Sequence, residues 1–198
     1  MTDVAIIANG GANIASLRFA LDRLGVSSRL TADADDLRRA PRVILPGVGA
    51  AADAMERLHS LGLASVIPTL TQPVLGICLG MQLLFECSEE GDTECLGILP
   101  ARVTRFPDRH GYPVPHMGWN QVVPRPDSAL ARGLGDDAYV YFVHSYAAPV
   151  GPWTDAVTDY GGEFSALVRH ANFHGAQFHP ERSSRAGQRI LANFLALA

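Results

Sequence analysis

The chain has 198 residues, 47% of them hydrophobic, and a formal net charge of −4. That length suits one domain over residues 1–198, and that apolar content builds a core rather than a disordered segment. There is no long basic run, no apolar stretch long enough for a bilayer, and no basic, apolar leader at Met1-Thr2-Asp3-Val4, so nucleic-acid binding, membrane insertion and export are not expected.

Three cysteines, an odd number, do not make a disulfide framework; a reducing, cytoplasmic setting is the simpler expectation. Val4 to Ile7 reads as a buried strand, broken by Gly10 and Gly11, with Asn13 able to cap a helix after them. Ile14, Leu17, Leu21 and Leu24 recur at helical spacing up to Gly25. Val43-Ile44-Leu45 is a second strand, closed by Pro46-Gly47, and Ala50 to Leu58 reads as a helix. Val74 to Ile77 is a third strand, followed by a helix expected over Leu79 to Glu86. This alternation predicts an α/β sandwich: a largely parallel sheet with helices on both faces. The second half holds short strand candidates at 101–105, 139–143, 155–158, 166–169 and 173–178, so part of the sheet is expected to be antiparallel. Ile190, Leu191, Phe194 and Leu195 mark a final amphipathic helix.

Gly76-Ile77-Cys78-Leu79-Gly80 joins a strand directly to a helix. A residue on such a turn projects above the carboxyl edge of the sheet, and flanking glycines leave room for a strained backbone and a close substrate. A helix N-terminus favours thiolate and can face an oxyanion. From these five residues alone, Cys78 is either a nucleophile or a small buried hydrophobe. Cys87 and Cys95 lack the glycine setting and read as inert, and the three-cysteine spacing fits no zinc motif. Among seven histidines, His179 stands in Phe178-His179-Pro180-Glu181 at the end of an apolar strand. Positions two apart on an extended segment face the same side, so Glu181 can hold one imidazole nitrogen while the other addresses Cys78. A surface turn is the competing reading of the triplet taken alone.

Gly76 to Gln82, together with Phe178 to Glu181, resembles the class I (triad) glutamine amidotransferases. Pro46-Gly47-Val48-Gly49 resembles that family's oxyanion strand. Pro115-His116-Met117-Gly118-Trp119-Asn120 and Tyr141-Phe142-Val143-His144-Ser145-Tyr146 are most similar to its branch of glutaminase subunits of imidazole glycerol phosphate synthases. The resemblance runs nearly end to end and implies a three-layer sandwich around a central mixed sheet. It implies that Cys78, His179 and Glu181 are catalytic, and that Leu79 with Gly47, Val48 and Gly49 forms the oxyanion hole. It further implies that Gln82, Glu90, His144, Ser145 and Tyr146 hold glutamine. The implied partner is a separate cyclase with a (β/α)₈ barrel, joined as a heterodimer. It would take ammonia through a channel past Tyr141 and Arg182 and make imidazole glycerol phosphate in histidine biosynthesis. The same resemblance implies that partner and nucleotide turn a peptide in Gly47-Val48-Gly49 so that an N–H faces the substrate. No cofactor and no metal are expected. His116 and His144 read as structural hydrogen-bonding residues, and Trp119 as packing.

Two positions depart from many relatives: Ala8-Asn9 where an acidic residue is usual, and Arg182 where some carry lysine. Both bear on the interface rather than on the triad. The competing functions are a glutaminase subunit for another acceptor synthase and a non-catalytic regulatory subunit.

Overall fold

The computed structural model describes residues 4–10, 14–135 and 137–197. Gly11 and Asn13, expected to break the first strand and cap the first helix, lie outside the described residues, as do Met1, Thr2 and Asp3. The elements of the first half are β1 (Val4–Ile7), α1 (Ile14–Arg23), β2 (Ser28–Thr31), α2 (Ala34–Arg39), β3 (Arg42–Gly47), α3 (Ala51–Ser60), β4 (Val74–Cys78) and α4 (Leu79–Gln82). Then come β5 (Phe85–Ser88), β6 (Thr93–Glu94), β7 (Leu99–Arg105), β8 (His116–Gln121), β9 (Val123–Pro124), β10 (Tyr139–His144) and β11 (Tyr146–Ala147). The chain closes with β12 (Thr154–Asp159), β13 (Glu163–His170), β14 (Phe173–Ala176) and α5 (Ser184–Leu195).

Strands covered on both faces carry apolar residues without alternation. β1, β4 and β14 are buried at every position, and β4 and β14 are the central pair of their sheet. They belong to an eight-stranded sheet of order β2-β1-β3-β4-β14-β13-β12-β9. From β2 to β14 the neighbours are parallel; from β14 to β9 they are antiparallel. α1 and α5 cover one face, where Leu17, Leu21, Ile190 and Phe194 pack on Ile6, Ile44 and Leu75. α2 and α3 cover the other, where Leu37, Met55 and Leu58 meet Ile7, Leu45 and Val74. The architecture is therefore a three-layer α/β sandwich with a mixed, mainly parallel sheet.

Two small sheets lie beside it: a four-stranded one, β11-β7-β5-β6, and the ribbon β10-β8. They contain the main correction to the sequence reading. The helix expected over Leu79 to Glu86 stops at Gln82, and Phe85–Ser88 is a strand paired parallel to β7. Leu83, Leu84 and Phe85 are all fully buried, so their run has no amphipathic period to separate helix from strand. Because α4 is a single turn, its end carries only a small dipole. Trp119, read as packing, is 51% exposed on the ribbon, with its ring edge-on to Tyr141 at 6.1 Å between centroids. Among the described residues no helix is long and apolar enough to cross a membrane.

Three buried histidines tie this fold to pH. Burial pushes His116 and His174 down to about 4. Burial likewise takes His144 down to about 3, against a carbonyl hydrogen bond from Tyr146 that raises it. A histidine depressed in the folded state contributes stability that is full above its unfolded value, about 6.5, and lost as pH falls toward the folded value. From pH 6.5 down to about 4 each such ring costs at most ~1.4 kcal/mol per pH unit. His174→Leu should flatten the fall in urea midpoint between pH 7 and pH 5, since His174 Nδ1 is buried without a hydrogen-bond partner. An unchanged slope would remove His174 from that balance.

Candidate active site

The end of β4 sets the position of the first group. Cys78 closes β4 and caps α4 at φ 54, ψ −113, in the left-handed region that side chains other than glycine rarely occupy. Such strain costs on the order of 1–3 kcal/mol and persists only where the surroundings enforce it. Here glycines make the enforcement possible. A Cβ on Gly76 would lie 2.6 Å from Gly80 O, and one on Gly47 would lie 2.6 Å from Gly80 N. A Cβ on Gly80 itself would collide with Leu45 O. The first turn of α4 thus lies directly on the ends of β3 and β4, with the Cys78 side chain raised at the carboxyl edge of the sheet.

β14 leads to the second group. Past its end come Gln177, whose N–H donates to Ala166 O, then Phe178 and His179, and His179 Nδ1 is 2.8 Å from Glu181 Oε1. The joining segment is a 3₁₀ turn, Pro180–Arg182, rather than the extended run expected from the sequence. The two side chains still meet, both almost fully buried, at 6% and 3% exposure. With Nδ1 on Glu181, the nitrogen that hydrogen-bonds Cys78 is Nε2. Burial opposes the imidazolium, but the hydrogen bonds to Cys78 and Glu181 outweigh it and raise His179 to about 10. These hydrogen bonds favour the charged ring, facing the sulfur.

A buried turn holds this histidine. Ser183 Oγ donates to His179 O at 2.7 Å and accepts from Tyr141 N at 2.9 Å. His179 N donates to Tyr141 O at 3.0 Å. The ribbon strand β10 is thereby fastened to the segment that carries His179 and Glu181.

In front of Cys78 lies a cavity of about 290 Å³, lined by Val48, Gly49, Leu79, Gln82, Glu90, Val143, His144, Ser145, Tyr146 and His179. Most residues expected to meet glutamine or an oxyanion thus surround one sulfur. Gly47 does not line this cavity; it borders a smaller one with Pro46, Val48, His179 and Glu181. Gly49 has φ +92 and open space where a Cβ would stand. Gln82 is 4% exposed rather than a helix-surface residue. Its Nε2 donates to Tyr146 O at 2.8 Å and to Gln177 Oε1 at 3.0 Å. One oxygen of Glu90 accepts the Ala51 N–H at 2.8 Å, which caps α3 where Ala50 has no side chain to do so. Tyr141 is half-buried and Arg182 exposed; neither touches this cavity. Of the departing pair, Asn9 is 1% exposed, with its side chain turned inside.

Three further residues lie at the sulfur or its support without having been singled out from sequence. Val143 O is 3.9 Å from Cys78 Sγ, Gln177 Nε2 is 4.0 Å from it, and Ser183 holds the histidine turn. The signal for Gln177 was available: it stands two residues before His179 on one extended segment and shares its side. The other thiols are unsuited to attack. All three cysteines are free, and burial, followed by the charges of Cys87 and Glu90, raises Cys95 to about 12. Among the described residues no three His, Cys, Asp or Glu side chains are grouped to hold a metal.

Residues 5–198 match the family model described as glutamine amidotransferase class-I. The chain belongs to that family. Among curated relatives, "Imidazole glycerol phosphate synthase subunit HisH" of Xanthomonas axonopodis pv. citri is 58% identical, over 100% of this chain and 99% of that one. The protein of the same description from Xylella fastidiosa (strain Temecula1) is 54% identical, over 100% and 98%. Among solved structures, a putative GMP synthase protein of Thermoplasma acidophilum superposes with TM-score 0.76 at 20% identity, covering 99% of this chain and 93% of that one. PurLQS of Thermotoga maritima gives TM-score 0.75 at 18% identity, covering 98% and 97%. These two structures share the fold. As a class-I amidotransferase, the chain is a glutamine-hydrolysing enzyme.

Proposed function

We propose that the chain is the glutaminase subunit of an imidazole glycerol phosphate synthase, with residues 1–198 forming one amidotransferase domain. The observation that carries the chemistry is the line from Glu181 through His179 to Cys78 at the floor of the cavity. Cys78 thiolate attacks the side-chain amide carbon of glutamine. The oxyanion that forms is met by the Leu79 N–H and by one from the Val48–Gly49 segment. His179 Nε2–H protonates the departing ammonia, leaving a glutamyl thioester. Neutral His179 then takes a proton from water, the water attacks the thioester, and glutamate leaves while the thiolate is restored. Glu181 holds the ring tautomer and balances the imidazolium throughout. Gln82, Glu90 and the 144–146 segment hold the glutamine head group.

The partner reading is supported by the ribbon. On its outer face Met117, Trp119, Tyr139 and Val143 are 67%, 51%, 53% and 37% exposed, with Tyr141 in the same row. An apolar row beside a reaction pocket suits a second protein. We assign this face to the cyclase barrel, in a heterodimer, with Tyr141 and Arg182 at the ammonia exit. Free thiols suit a cytoplasmic setting.

The test is glutamine turnover by the chain alone, with cyclase, and with cyclase plus its nucleotide, alongside formation of imidazole glycerol phosphate. Loss of one oxyanion donor costs about 10²–10³ in rate, so a segment turned by the partner should raise the wild-type rate more than about tenfold across the series. Gly49→Ala should blunt that rise. Gly49 is the clean probe, because Gly47→Ala would also press on Gly80 N. Turnover already complete without cyclase would overturn the switch, and failure to feed the cyclase would favour another acceptor synthase.

A further inference from the structure

The inner face of the ribbon holds a run of hydrogen bonds with one permitted direction. Asn120 Oδ1 accepts from Gln121 N at 2.8 Å and its Nδ2 donates to Asp159 O at 2.9 Å, which settles the orientation of the amide. The same Nδ2 stands 3.3 Å from His116 Nε2, so that nitrogen is the acceptor. The proton of His116 must then be on Nδ1, which is 3.1 Å from His144 Nε2. His144 in turn carries its proton on Nδ1, donated to Tyr146 O at 2.7 Å. That carbonyl also receives Gln82 Nε2 at 2.8 Å. Both ends are tied to backbone carbonyls, so reversing the run would set donor against donor at Asn120 Nδ2 and acceptor against acceptor at Tyr146 O. Aromatic rings enclose the run: Tyr160 stacks on His116 at 3.9 Å between centroids and Phe142 at 4.8 Å.

His116 does not line the cavity, whereas His144, Tyr146 and Gln82 do. We propose that His116 is a positioning residue for glutamine, holding the 144–146 wall and Gln82 in register with Cys78 through its hydrogen bond to His144. The inference rests on the glutaminase reading above. Without the His116 donor, His144 Nε2 is a buried acceptor with no partner, a cost that turning the ring or moving the segment would relieve. Either change displaces Tyr146 O and the Gln82 side chain while leaving Cys78, His179 and Glu181 in place. Glutamine binding therefore suffers more than the chemical steps.

The experiment compares two variants in the complete enzyme. His116→Phe keeps the ring and its stacking but supplies no donor. His116→Asn keeps a donor near the Nδ1 position but leaves a void between Tyr160 and Phe142. His116→Phe should raise KM for glutamine about tenfold with kcat within about threefold, while His116→Asn keeps KM near wild type despite the lower Tm of the two. A KM that follows Tm across the pair, or a wild-type KM in His116→Phe, would overturn the proposal. Nitrogen-15 spectra of the wild type give a second reading that needs no variant. Both rings should carry their proton on Nδ1 with Nε2 bare, and a proton on His144 Nε2 would overturn the chain. A wild type inert toward glutamine would instead defeat the glutaminase reading itself.

Discussion

Cys78→Ser should remove glutamine-dependent turnover by about 10⁴-fold or more, while the cyclase fed with ammonium salt at alkaline pH keeps its rate. Serine keeps the size and the turn but not the acidity that makes sulfur a nucleophile beside an imidazolium. No other thiol can substitute. Cys95 is held protonated up to about 12 and is bonded to Thr93 O. Cys87 lies in the small sheet, outside the cavity lining. Cys87→Ser and Cys95→Ser should therefore stay near wild type. Near-normal glutamine turnover in Cys78→Ser would end the thioester mechanism. Loss of the ammonium-dependent reaction would give this chain a duty beyond supplying ammonia.

Gly80→Ala should destabilise the fold by about 3 kcal/mol or more, seen as a large drop in urea midpoint or as insoluble expression. The added methyl meets Leu45 O, a backbone atom of β3 where that strand is paired with β4, so no side chain can rotate away. Relief requires lifting α4 from β3, which also moves the Cys78 turn and opens the contact at Gly47. Gly49→Ala is the comparison, with open space but a φ of +92, so its cost is conformational, about 1–2 kcal/mol. A Gly80→Ala protein as stable as Gly49→Ala would show that α4 is not pressed on β3.

Much of this was legible from residue order, and the failures have physical reasons. β1, β3 and β4 carry short apolar runs, Val4 to Ile7, Val43 to Leu45 and Val74 to Ile77, and such runs read as buried strands. The turn at Cys78 was legible because two glycines and a strand–helix junction coincide there; that its sulfur attacks rather than packs was left open by those residues and rests on the resemblance to the family. Leu83 to Phe85 misled because full burial erases the period that distinguishes helix from strand. β2 was not seen because Ser28-Arg29-Leu30-Thr31 is an edge strand with little apolar content. The α2 helix is six residues long and depends on a cap, Asp33 accepting from Asp36 N at 2.8 Å, more than on an apolar stripe. Trp119 was read as packing, but it stands 51% exposed on the ribbon, and residue type alone does not separate an exposed tryptophan from a core one. His116 and His144 were rightly read as hydrogen-bonding residues, but their pairing was beyond reach from sequence: they are 28 positions apart and meet only through the β8–β10 register.

Because Cys78 ends β4 and opens α4 without an intervening residue, chain length is held as strictly here as chemistry. One residue inserted between Val74 and Cys78 would exchange the two faces of the strand and carry the sulfur from the cavity into a helix-covered side. A deletion would do the same, and no later substitution could restore it. Pro107 to Pro113 lies exposed between two strands; Arg109, Tyr112 and Pro113 fasten it to Gly161 and Tyr160, but a change in its length exchanges no strand face. Descendants of this chain are thus free to lengthen or trim that loop, while the stretch from Val74 to Gln82 must be copied residue for residue in number even where its letters drift.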